Sequence, residues 1–156
     1  MAVTVKRIAL WRADVDNHPG MLAKTLEPLA QAGADLRLVM GYRLPQTPER
    51  AAIELYPVSG KRAVAAAGQA GLAESREIPC LLVEGDNRPG LGAALARGLA
   101  NAGINIAFVV AQVVGRKFSA TVGFADEATA VAATRVIKDA ARPAKQAKPA
   151  RRGRRR

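Results

Sequence analysis

Two short loops hold the residue types best suited to bind a small charged molecule. Residues 16–20 read Asp-Asn-His-Pro-Gly, and residues 86–90 read Asp-Asn-Arg-Pro-Gly. The carboxylate of Asp16 or Asp86 can accept from an ammonium, and the amide of Asn17 or Asn87 both donates and accepts. Gly20 and Gly90 let the backbone approach a ligand with no Cβ in the way. If each loop opens a helix, the free N–H groups and positive dipole end of that helix suit a carboxylate. The same string also fits a plain helix cap with no ligand.

Other chemistry is sparsely provided. His18 is the only histidine and Cys80 the only cysteine, so neither a multi-His or multi-Cys metal centre nor an intrachain disulfide framework is expected. His18 lies in the first loop, either as a ligand contact or as an exposed loop residue. Cys80 lies in the apolar run Pro79-Cys80-Leu81-Leu82-Val83 and reads as a buried core thiol. There is no Walker loop and no zinc-ligand spacing. Trp11, Tyr42 and Tyr56 fall on expected strands, where packing is favoured over base stacking. No catalytic residue, cofactor or metal is expected.

The elements that position the loops repeat with them. Residues 16–36 and 86–106 match without gaps at an offset of 70. Asp16, Asn17, Pro19, Gly20, Ala23, Leu29, Ala30, Ala32 and Gly33 recur as Asp86, Asn87, Pro89, Gly90, Ala93, Leu99, Ala100, Ala102 and Gly103. A match of that density points to duplication. A strand is predicted before each loop, over Val3–Ala13 and Cys80–Glu84. A helix follows to about Ala32 or Ala102, with Pro19 or Pro89 in its first turn and Gly33 or Gly103 ending it. Pro28 should kink the first helix. Leu22, Leu26 and Leu29 form its expected buried stripe, and Leu91, Leu95, Leu99 and Ala102 that of the second.

Two strand-like runs come next in each half: Leu36–Leu44 and Ala51–Val58, then Asn105–Val114 and Lys117–Phe124. Gly115-Arg116 suits a two-residue hairpin turn. Further helices are predicted over Lys61–Ala70 and Glu127–Ala141, the latter with Asp126 as N-cap. Ala73–Glu77 offers a last strand to the first half only. The second sheet is therefore expected to be short by a strand or completed by a neighbour. The fold class is α+β: two tandem ferredoxin-like βαββαβ units with antiparallel sheets and helices on one face. The expected division is 1–77, 78–141 and a tail over 142–156.

The string Asp-x-x-Pro-Gly-x, leading to Leu-Ala-x-Ala-Gly-Ile-Asn-Ile between strands, resembles the ACT family. The second copy is the nearer match, through Gly103-Ile104-Asn105-Ile106. The first ends Gly33-Ala34-Asp35-Leu36. The resemblance covers most of residues 3–140. It implies a non-enzymatic regulatory protein that binds an amino acid or similar metabolite where paired units meet. Carried onto this chain, the implied ligand residues are Asp16, Asn17, His18, Gly20, Met21 and Leu22, then Asp86, Asn87, Arg88, Gly90 and Leu91, with Asn105 and Ile106 from the next strand. Gly92 stands where the first copy has Leu22, so two such sites would differ in shape. A homodimer is expected, because units of this size are marginal alone.

The net charge of +11 is concentrated at one end. Of the 24 basic residues, eight lie in residues 142–156 with no acid among them, leaving 16 against 13 acidic ones elsewhere. This stretch is too polar and too simple to bury a core, and is expected to be disordered. Arg151, Arg152, Arg154, Arg155 and Arg156 suit sequence-independent, salt-sensitive contact with nucleic acid, with the folded pair as a dimerisation platform. A solubilising tail is the competing reading. A regulatory subunit docked on a metabolic enzyme is the third. No leader or membrane span is expected, and a reducing cytoplasm fits the single cysteine.

Overall fold

A computed structural model describes residues 3–143. The residues expected to bind nucleic acid, Arg151, Arg152, Arg154, Arg155 and Arg156, lie outside the described residues. Among the described residues, no helix is long and apolar enough to cross a membrane.

Among the described residues, eight strands and four helices follow one another, each helix after a pair of strands: β1 (Thr4–Ile8), β2 (Trp11–Asp16), α1 (Met21–Gln31), β3 (Leu38–Leu44), β4 (Thr47–Tyr56), α2 (Lys61–Gln69), β5 (Ala73–Glu74), β6 (Cys80–Asp86), α3 (Leu91–Asn101), β7 (Phe108–Val114), β8 (Lys117–Gly123) and α4 (Glu127–Ala140). They build two antiparallel four-stranded sheets, ordered β3-β4-β2-β5 and β7-β8-β6-β1. The α+β, ferredoxin-like class is as the sequence predicts.

The predicted strand Val3–Ala13 is in fact two strands in two different sheets. β1 pairs with β6, Thr4 opposite Glu84 through Ile8 opposite Cys80. β2 pairs with β4 and β5. The strand missing from the second half is thus supplied by the start of the chain, in the edge position that β5 fills in the first sheet. The division at 77/78 takes no account of this exchange. Its cause is visible in burial. β6 is covered on both faces, so it reads as a continuous apolar run. Leu81 and Val83 pack under the helices, while Cys80 and Leu82 pack with Ile8 and Leu10 against Leu38, Met40 and Tyr56 of the other half. Arg7 ties the borrowed strand to α4 through Glu127 at 2.7 Å.

Each sheet has a helix layer and its own core. Leu29, Ile53, Leu55 and Ala67 anchor the first; Leu95, Leu99, Phe124 and Ile137 anchor the second. Gly33 and Gly103 adopt positive φ where α1 and α3 stop, as predicted. Asp126 caps α4, accepting from the Thr129 N–H at 2.7 Å.

Several local expectations change. Pro19 and Pro89 precede the helices, which begin after Gly20 and Gly90. Of the expected α1 stripe Leu29 is buried and Leu26 packs half-buried against the same core, but Leu22 is 44 % exposed and Thr25 takes its place. Ala102 is likewise exposed. β4 starts at Thr47, earlier than predicted, and its pairing with β3 shifts register between Arg43 and Leu44.

Candidate functional site

The first loop is pinned by its neighbours and leaves its helix end open. Asp16 closes the β2–β4 ladder opposite Arg50, whose guanidinium donates to the Asp16 carboxylate at 2.6 Å and to the Asp14 carbonyl at 2.9 Å. The Asn17 N–H donates to the Glu49 carbonyl and its side-chain amide to the Pro48 carbonyl, each at 2.8 Å. This leaves the Asn17 side-chain oxygen as the group free to accept. His18 Nδ1 lies 3.0 Å from the Pro19 carbonyl. Gly20 turns the chain at φ 93°, and no side chain caps α1. The plain-cap alternative therefore fails for Asp16 and Asn17: neither satisfies the helix N–H groups.

Asp16, Asn17, His18, Met21 and Leu22 surround a cavity of about 240 Å³ on the helix side of the sheet. Its remaining wall is Val15 of β2, Gly41, Tyr42 and Arg43 of β3 and Ala51, Ala52 and Ile53 of β4. Gly20 bends the chain beside this cavity without lining it. The wall from β3 and β4 escaped the sequence reading, because nothing repeats there: Tyr42 and Arg43 stand where the second copy has Gln112 and Val113. The cavity presents carboxylate, amide, imidazole and guanidinium groups beside apolar carbon. That combination can hold a small polar molecule with a short apolar part.

The second loop keeps the backbone plan and changes the chemistry. Lys117 donates to Asp86 at 2.5 Å, the counterpart of Arg50 and Asp16. The bond holds the Asp86 carboxyl below its ordinary value, the Lys117 hydrogen bond being the chief cause. The Asn87 N–H donates to the Arg116 carbonyl at 2.8 Å. Gly90 has φ 81° and α3 is also uncapped by any side chain. Arg88 turns away to the Ala141 carbonyl at 3.1 Å. Leu91 is buried in the core and Asn105 is exposed.

Ile106 lines a different cavity of about 230 Å³, between α3 and β7, with Gly92, Leu95, Val109, Ala111 and Phe118. Its lining is apolar throughout, and the absent side chain of Gly92 helps open it. Asp86, Asn87, Arg88 and Gly90 take no part in it. The structure therefore gathers the first set of expected ligand residues and disperses the second.

Cys80 is a core thiol, 1 % exposed, with burial pushing its pKa up to about 12.

No family model matches the chain, and no curated protein matches it in sequence. Solved structures do share its fold. A protein from Bacteroides thetaiotaomicron is similar over 84 % of this chain and 88 % of its own, with 13 % identity and a TM-score of 0.68. The regulatory subunit of aspartate kinase from Thermus thermophilus is similar over 90 % and 97 %, with 17 % identity and a TM-score of 0.60. That from Thermus flavus is similar over the same shares, with 18 % identity and a TM-score of 0.56. The fold is thus ACT-like.

Proposed function

We propose that this chain is a non-enzymatic regulatory protein that binds an amino acid or similar small metabolite at its first Pro-Gly loop. The observation that carries the reading is the cavity at the uncapped start of α1, where Asp16, Asn17, His18, Met21 and Leu22 converge. An uncapped helix end favours a carboxylate, Asp16 offers an acceptor to an ammonium, and Leu22 and Ile53 meet an apolar side chain. Likeness of fold to regulatory subunits of aspartate kinase supports a regulatory role and keeps open the reading of a subunit that acts on a metabolic enzyme. The second loop, with Arg88 turned away and Leu91 buried, is the weaker site.

A homodimer is part of this reading. The first cavity, about 240 Å³, falls short of the ~300–1,000 Å³ usual for small-molecule sites, so a neighbouring copy would complete it. The edge strand β7 exposes Val109, Val113 and Val114 at 56, 49 and 68 %, with no charge or proline on the strand. Unprotected edges of this kind pair with other strands.

The test is a thermal-shift and calorimetry screen against the standard amino acids and related metabolites. A ligand that binds the folded state raises the melting temperature. Saturable binding of one amino acid, weakened by Leu22→Gln, would support the reading. A folded protein that no candidate stabilises would overturn it.

A further inference from the structure

The carbon-lined cavity inside the second half is a different kind of space from the polar cavity of the first. It measures about 230 Å³ and lies between α3 and the helix-side face of the second sheet. Every residue that lines it belongs to the second half, and each is apolar.

Its origin can be traced against the first copy. At the offset of 70 that relates the two copies, Leu22 and Leu26 of α1 correspond to Gly92 and Ala96 of α3. Leu26 packs against the core of the first half. Gly92 and Ala96 border the cavity instead, where two leucine side chains would otherwise stand.

The backbone gives no reason for a glycine at position 92. It lies within α3 without the positive φ of Gly90, and an added Cβ would meet no heavy atom within 4 Å. A helical glycine is less stable than alanine because it orders a freer backbone. Gly98 of the same helix makes the contrast: a Cβ there would come within 2.6 Å of the Ala140 side chain on α4. Packing thus accounts for Gly98, whereas Gly92 gives up helix stability and leaves room.

The lining decides what that room can hold. A charged or strongly polar group drawn into it would lose water and find no partner, so a zwitterion does not fit its chemistry. A carbon-lined space of ~150 Å³ stays dry and takes up benzene. The larger volume here admits one ring with short alkyl substituents, set against Phe118. Gly92, Ala96, Val109 and Ala111 are all exposed, so the cavity opens to solvent between α3 and β7.

We propose that this cavity is a binding site for a small uncharged molecule whose hydrocarbon body is the size of one substituted aromatic ring. The site lies within one unit and takes no residue from either Pro-Gly loop, so it stands independently of the loop reading.

The test is amide NMR of the full chain titrated with toluene, with phenol as the polar comparison. Toluene should give saturable shifts at Ala96, Ile106, Val109 and Ala111 and raise the melting temperature. Phenol would bury a hydroxyl with no partner and should bind about tenfold or more weakly. Gly92→Leu and Ala96→Leu, which restore the residues of the first copy, should each weaken toluene binding about tenfold or more, while Gly92→Ala should keep it within about threefold. No saturable binding of toluene, phenol bound as tightly as toluene, or wild-type affinity in the folded leucine variants would overturn the proposal. Shifts confined to Gly41 and Tyr42 would place the molecule in the first cavity and overturn it as well. A dimer that dissociates in Gly92→Leu, with no toluene bound by the wild type, would assign the cavity to a second copy of the chain instead.

Discussion

Asp86 and Lys117 face each other across the last rung of the β6–β8 ladder, 2.5 Å apart, in the position that Asp16 and Arg50 hold in the first sheet at 2.6 Å. The pair marks the same corner of both sheets, where strand gives way to the Pro-Gly loop. In each half the acid is held by a cation from the neighbouring strand, and the helix end is left open.

The Asp86 pair has a pH signature. Lys117 holds the Asp86 carboxyl below 3.8. A carboxyl depressed in the folded state stabilises it above the unfolded value, and that contribution is lost as pH falls through the lower folded value. Carbon-13 NMR of the Asp86 carboxyl should show a midpoint under 3.8, and Lys117→Met should move it back up. An unchanged midpoint in that variant would show that the hydrogen bond does not set it.

Gly20 and Gly90, at φ 93° and 81°, stand in the left-handed region that a Cβ disfavours. Gly20→Ala and Gly90→Ala should each cost about 1–2 kcal/mol in urea unfolding. Neither position has a heavy atom within 4 Å of an added Cβ, so the cost would be conformational, not steric. A neutral or stabilising effect would contradict the assigned backbone.

The borrowed strand ties the start of the chain to the second half, Val3 in its helix-side core and Ile8 in the cluster on the opposite face of the sheet. Ile8 is 4 % exposed and packs with Cys80 and Leu82. Ile8→Ala should cost about 2–5 kcal/mol. Hydrogen exchange should show the loss at the amides of β6, its pairing partner. Protection unchanged at Cys80–Glu84 would argue against the pairing.

The buried thiol should be inert. Iodoacetamide at pH 8 should leave Cys80 unmodified in the folded chain and alkylate it quickly in urea, because the thiolate is the reacting form and burial lifts the pKa to about 12. Rapid alkylation without denaturant would place Cys80 outside the core.

Much of this was legible from residue type and spacing. The duplicated loops, the glycines ending α1 and α3, the Asp126 cap and the ferredoxin-like order all rest on local rules that tertiary contacts did not override. The strand exchange was not legible. Ile8-Ala9-Leu10 joins β1 to β2 with no glycine or proline to mark a break, and Ile8 and Leu10 are both buried. The Arg50–Lys117 correspondence was hidden for a different reason. The first half has three extra residues within β4, ten residues long against seven for β8, so these two cations fall 67 positions apart while the loops fall 70 apart. The fate of Arg88 depended on the end of α4, where it meets the carbonyl of the capping residue Ala141 from 53 residues away.

The most direct test of the sensing account is amide NMR of the full chain titrated with the standard amino acids. The account predicts saturable shifts of Gly20, Met21 and Leu22 with at least one of them, accompanied by shifts at Gly41 and Tyr42 across the cavity. A folded chain in which those amides stay fixed throughout the titrations would contradict it.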